Sequence, residues 1–157
     1  MAAVQRKPQG IWRSIFRLPI WLYRLHLGWL LGSRFLLLTH VGRKSGQPHQ
    51  TVVEVMRHDQ ATDTYFVAAG FGRNSDWYRN IRQTPDVVIA VGRRVTPAHA
   101  ELLSPTAGAQ ELRAYAQRHP IAFPLLTRFL LGYIPDLTDE HVEQVGTSMP
   151  VVAFHCD

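Results

Sequence analysis

Residues 42 to 46 read Gly42-Arg43-Lys44-Ser45-Gly46. They stand between an apolar run, Phe35-Leu36-Leu37-Leu38-Thr39, and a β-like run, Gln50-Thr51-Val52-Val53-Glu54-Val55. Two glycines let the backbone turn sharply and come close to a ligand, while Arg, Lys and a hydroxyl supply donors directed at anions. A loop of that composition between two strands suits a phosphate or a polycarboxylate. The same five residues also make a serviceable hairpin turn with solvated charges. What separates the two readings is the rest of the chain.

At 157 residues the chain has the size of one domain, large enough to bury most of its apolar surface without staples. Hydrophobic residues make up 46% and charged ones 18%, which places it among globular rather than disordered sequences. The formal charge of +5 points to anionic partners: phosphorylated cofactors, nucleic acid or an acidic membrane face. Cys156 is the one cysteine, so no intrachain disulfide can form, and a reducing compartment such as the cytoplasm fits. Eight histidines are scattered without ligand spacing, and no metal is assigned. Nucleic acid is set aside as a partner, because the aromatics are not interleaved with the basic residues as stacking platforms require.

Residues 1 to 9 read as a loose terminus, and residues 10 to 32 as amphipathic helices. The stretch from Ile11 to Gly32 is rich in Trp, Leu and Ile, but Arg13, Arg17, Arg24 and His26 interrupt it. Those charges and Pro19 argue against a membrane span. On one helix Arg13, Arg17 and Arg24 would share a face within about 40°. Pro19 favours two shorter helices, with the proline in the first turn of the second. Such a segment either covers the core or rests on the anionic inner face of a bilayer as a peripheral contact.

From residue 33 onward the pattern is a barrel. Phe35 to Val41 reads as a first strand, His49 to Arg57 as a second, and Thr64 to Ala69 as a third after a polar hairpin loop. Gly70-Phe71-Gly72-Arg73 is a break. Asn74 or Ser75 caps a short helix from Asp76 to Arg82, which Thr84-Pro85 ends. Val87 to Val91 and Val95 to Leu103 form two further strands. Ser104-Pro105 starts a helix reaching about Arg118, residues 121 to 134 form a mostly apolar helical segment, and Met149 to His155 is the last strand. Strands joined mainly by tight turns favour an antiparallel barrel over a parallel α/β sheet.

Four passages carry a resemblance: Leu36 through Pro48, Tyr65 through Gly70, Asp76-Trp77-Tyr78-Arg79-Asn80-Ile81, and Met149-Pro150-Val151-Val152. In order and separation they resemble the deazaflavin-dependent nitroreductase family of the split-barrel flavin-binding superfamily. The resemblance implies an α+β fold, mainly β: a six-stranded antiparallel split barrel over residues 33–157, with an N-terminal helical segment and flanking helices. It also implies coenzyme F420, or in some relatives flavin mononucleotide (FMN), as cofactor.

By position, the resemblance places Gly42, Arg43, Lys44, Ser45 and Gly46 on the coenzyme's phosphate and nearby chain. Ala68, Ala69 and Gly70 would lie along the ring system, with Trp77 and Asn80 lining ring or chain. Gln50 and Thr51, opening strand two, are weaker candidates. The residue chemistry agrees: a phosphodiester carrying glutamates is a polyanion, and a planar tricycle needs a flat wall with close backbone approach. Each residue also has a plainer reading. Trp77 and Tyr78 suit a core, Asn80 could bond a backbone carbonyl, and His40 could be structural. Between residues 118 and 148 the chain departs from the better-known members, and Tyr133 is the phenol there able to donate a proton.

The function so implied is an oxidoreductase, nitroreductase-like or quinone-reductase-like. It would transfer a hydride from reduced F420 to an electron-poor apolar acceptor such as a quinone, enone or nitroaromatic. An FMN-binding reductase of the same fold is the alternative, and a non-enzymatic basic membrane or nucleic-acid module is the more distant one. A homodimer is compatible with these readings.

Overall fold

The computed structural model describes residues 32–135 and 137–157. The expected loose terminus, and the amphipathic segment except its last residue, lie outside them. Six antiparallel strands close into a barrel: β1 (Phe35–Val41), β2 (Pro48–Asp59), β3 (Thr64–Ala68), β4 (Asp86–Val91), β5 (Arg94–Leu102) and β6 (Val151–Cys156). Around the barrel they run β1-β2-β3-β6-β5-β4, with β4 pairing back onto β1. Closure leaves no long edge to template another chain. The helices are α1 (Asp76–Gln83), α2 (Pro105–Arg118), α3 (Ala122–Leu131) and α4 (Val142–Ser148).

Alternation along the strands sets what faces inward. Leu36 and Leu38 of β1, Val87, Ile89 and Val91 of β4, and Val152 and Phe154 of β6 fill the barrel interior. On β5 the inward positions are the small residues Ala98 and Ala100. Tyr78 and Ile81 from α1 join this core, so the short helix is anchored by its apolar face. A second core lies between sheet and helices: Met56 and Val151 from the sheet meet Leu112, Tyr115, Phe123, Leu131, Val145 and Met149. β6 therefore has both faces covered, which is why Val151 through Phe154 are all buried.

The observed elements follow the expected order, with shifted ends. β2 is longer than its apolar pattern, because pairing with β1 begins at Pro48 and pairing with β3 continues to Asp59 past a bulge between Val55 and Arg57. The Ser104 side chain accepts from the Ala107 N–H and Pro105 opens α2, as its capping signature predicts. Ser75 is the N-cap position of α1, yet its hydroxyl donates instead to the Gly72 carbonyl at 2.5 Å, tightening the break before the helix. The apolar segment ends at Gly132, whose φ of +80° makes it the left-handed cap of α3. β6 begins two residues later than expected, because Met149 still closes α4 with its N–H on the Val145 carbonyl. The sequence reading leaves α4 unassigned.

Candidate active site

The loop at 42–46 is a tight, self-bonded turn. The Gly42 N–H donates to the Gln47 carbonyl, and the Gly46 N–H to the Gly42 carbonyl, both at 2.8 Å. Gly46 sits at φ +67°, a conformation that favours glycine. At Gly42 the constraint is space: a Cβ would come within 2.6 Å of Ser45 Oγ and 2.7 Å of His49 Nε2. Ser45 Oγ also accepts from the Gln47 N–H and lies 3.2 Å from His49 Nε2. Lys44 is exposed and makes no ion pair among the described residues.

Arg43 and Asn80 lock this loop to α1. Asn80 Oδ1 accepts from the Arg43 main-chain N–H at 3.1 Å and from its guanidinium at 2.9 Å. The Asn80 amide faces His40 Nδ1 at 3.0 Å. The Arg43 guanidinium also lies 3.5 Å from Asp76 Oδ1. Asn80 and His40 are both buried, so this is an interior polar network with every member partnered. Asn80 thus sits behind the loop as its tether rather than among the cavity-lining residues, and His40 takes the structural role open to it. Arg43 further borders a shallow recess of about 290 Å³ shared with Arg79, Arg82 and Gln83.

Burial, reinforced by the neighbouring His49, pushes the His40 imidazole down to about 4. A neutral ring with Nδ1 as acceptor is what an Asn80 N–H donor requires. Because the folded form disfavours protonation, the contribution is complete above the unfolded value near 6.5 and is lost as pH falls toward 4. Stability should drop by about 3 kcal/mol across that window. Denaturant titrations at pH 7, 5 and 4 check it, with His40→Asn flattening the difference.

An apolar cavity of about 320 Å³ reaches the start of α1 at Ser75 and Trp77. Its walls come from three directions. Thr51 through Glu54 and Met56 line it from β2; Ala68, Gly70, Phe71, Ser75 and Trp77 from β3 and the break leading into α1; Leu112, Tyr115, Phe123, Leu126 and Thr127 from α2 and α3. Four expected ligand contacts, Thr51, Ala68, Gly70 and Trp77, are therefore brought together here. Ala69 points the other way, into the barrel core. Gln50 is exposed and donates to Thr39 Oγ1 at 3.4 Å. Tyr133 is 41% exposed and is not among the lining residues.

The phenol that lines the cavity is Tyr115, whose hydroxyl donates to Glu54 Oε1 at 2.9 Å. Burial first, then the Glu54 carboxylate, pushes this phenol up to about 12, so it stays protonated. Arg34 Nε lies 3.6 Å from the same Glu54 oxygen, but its side chain is 69% exposed. Sequence reading passes over both residues. Glu54 leaves a signal as the lone charge in Val52-Val53-Glu54-Val55-Met56; Tyr115 reads as an ordinary aromatic on an amphipathic helix. Among the described residues no cluster of His, Cys, Asp and Glu has metal-site geometry, and no helix is long and apolar enough to cross a membrane.

A family model described as F420H(2)-dependent quinone reductase matches residues 16–123. Among solved structures, an F420-H2 dependent reductase superposes with a TM-score of 0.53 at 19% identity, covering 78% of this chain and 94% of its own. A structure described as a domain-swapped dimer gives 0.54 at 18% identity, covering 87% and 99%. A pyridoxamine 5'-phosphate oxidase-related, FMN binding protein from Nostoc punctiforme gives 0.53 at 16% identity, covering 94% and 81%. At these identities the structural likeness establishes the fold, a split barrel.

Proposed function

The chain belongs to the F420H(2)-dependent quinone reductase family, an oxidoreductase family whose cofactor is coenzyme F420, and from that premise we propose that it reduces an electron-poor acceptor, a quinone foremost, by hydride transfer. The observation that carries the reading is a self-bonded cationic loop tied to α1, together with an apolar cavity lined by Ser75 and Trp77 at the start of the same helix. The residues fit the cofactor. Lys44 and Ser45 are exposed on the loop where a phosphate could meet them, while Ala68 and Gly70 offer a low wall to a flat ring and Trp77 an aromatic one.

Bound there, reduced F420 supplies the hydride. The chain's own residues orient, exclude water and manage charge. Arg43 contributes by holding the loop on Asn80 and Asp76, so Lys44 carries the free charge toward the tail. Leu112, Phe123 and Leu126 roof the cavity against water. Tyr115 presents a protonated phenol inside it, and is the donor we favour over Tyr133 for the proton that must follow the hydride. The fold is shared with an FMN binding protein, so FMN is the second cofactor reading. A homodimer, a peripheral membrane contact through residues 10–32 and a cytoplasmic location belong to the same proposal, and none of them enters the mechanism.

Lys44→Ala should weaken F420 binding by about 1.5–3 kcal/mol, the worth of a charge-assisted contact. Titration of the full chain with F420 and with FMN, followed by fluorescence, reads this directly. Micromolar FMN binding with no F420 binding would transfer the function to the alternative.

A further inference from the structure

Among the described residues lining the apolar cavity, one bears a charge: Glu54. Its carboxylate sits amid valines, Met56, Leu112 and Phe123, 28% exposed, with one oxygen taken up by the Tyr115 hydroxyl. Among the described residues two cations approach it, and neither belongs to the cavity lining. Arg34 reaches the same oxygen only at 3.6 Å from a largely solvated side chain, and Arg118 is turned onto the Met56 carbonyl at 3.1 Å. Thr51, Ser75 and Thr127, the other polar lining residues, are neutral. A fixed negative charge in a low-dielectric wall acts over several ångströms and is little screened by salt.

We propose that Glu54 determines which acceptors enter: it admits uncharged apolar acceptors and repels those bearing a carboxylate or sulfonate. The claim rests on the proposed function, in which the acceptor meets the cofactor's ring in this cavity. It runs against the field of the whole molecule, since a chain of net charge +5 steers anions toward its surface. Discrimination against anionic acceptors therefore has to arise locally, and Glu54 is where the cavity lining places it. Tyr115 has a positioning part, because its hydrogen bond holds the carboxylate against the wall instead of letting it swing to Arg34.

The test compares two 1,4-naphthoquinones, 2-methyl-1,4-naphthoquinone and 1,4-naphthoquinone-2-sulfonate. Binding to the full chain is followed by quenching of tryptophan emission, Trp77 being a wall residue, and turnover is followed with reduced F420. The wild type should prefer the neutral quinone by at least about tenfold in both Kd and kcat/KM, at low salt and at high salt alike. Glu54→Gln should bring that ratio to within about twofold of the ratio of the two quinones' reactivities in solution. Tyr115→Phe, which frees the carboxylate to swing toward Arg34, should weaken discrimination, whereas Glu111→Gln, whose carboxylate is paired with Arg57 outside the cavity, should preserve it. Equal binding of both quinones by the wild type, or discrimination surviving in Glu54→Gln, overturns the inference while the reductase reading stands. A wild type that binds neither quinone overturns that reading, and this inference with it.

Discussion

Asn80→Leu should unfold at lower denaturant, with a loss of about 3 kcal/mol, and should also lose cofactor affinity at least tenfold. One buried amide satisfies three partners: the Arg43 N–H, the Arg43 guanidinium and His40 Nδ1. Leucine matches the volume but leaves these groups facing an apolar side chain, and each unsatisfied buried group costs about 1–3 kcal/mol. The Arg43 guanidinium retains Asp76, and solvent relieves it in part, which keeps the sum near the middle of the range. The second loss follows from the first. Freed from α1, the 42–46 turn no longer presents Lys44 in one place, so binding must restore that order. Asn80→Asp separates the two effects: the carboxylate still accepts from Arg43 but cannot donate to His40. Urea unfolding and F420 titration on the same preparations give both numbers.

Gly146→Ala should destabilise by about 2–3 kcal/mol, the usual toll of forcing volume into a packed interface. A methyl group there would fall on the main-chain carbonyl of Pro105, which belongs to the first turn of α2 and cannot rotate away as a side chain would. To accommodate it, α4 must lift off α2 and pull Val145 and Met149 from the second core. Met149 also lines the cavity, so a change in acceptor KM should accompany the fall in stability. Gly108 is the control on the facing helix. Its added Cβ would stand 3.4 Å from Val151 Cβ, close to ordinary contact, and Gly108→Ala should cost far less.

Much of this architecture is legible in the sequence because local signals agree with the tertiary outcome. Ser104-Pro105 opens α2 as its signature predicts, and the apolar run from Val87 to Val91 forms β4. The element that escapes is α4, whose sequence Val142-Glu143-Gln144-Val145-Gly146-Thr147-Ser148 is short, polar and glycine-bearing. Its helical state is imposed by contact with α2, which no local propensity announces. Within the site, Ala68, Gly70 and Trp77 could be placed because they lie in the passages that carry the resemblance, and Thr51 because it follows the loop along β2. Glu54 and Tyr115 could not, since 61 residues separate them and only barrel closure brings α2 over β2. Asn80 is legible as a helix residue that needs a partner, but its partners His40 and Arg43 come from another strand and loop.

The central claim is that the cationic turn and the apolar cavity hold two ends of one cofactor. A crystal structure of the full chain grown with F420 tests it most directly. The phosphate should lie within hydrogen-bond distance of Lys44 and Ser45, and the ring against Ala68, Gly70 and Trp77. Well-ordered F420 bound elsewhere on the protein, with residues 42–46 facing bulk water, would contradict it.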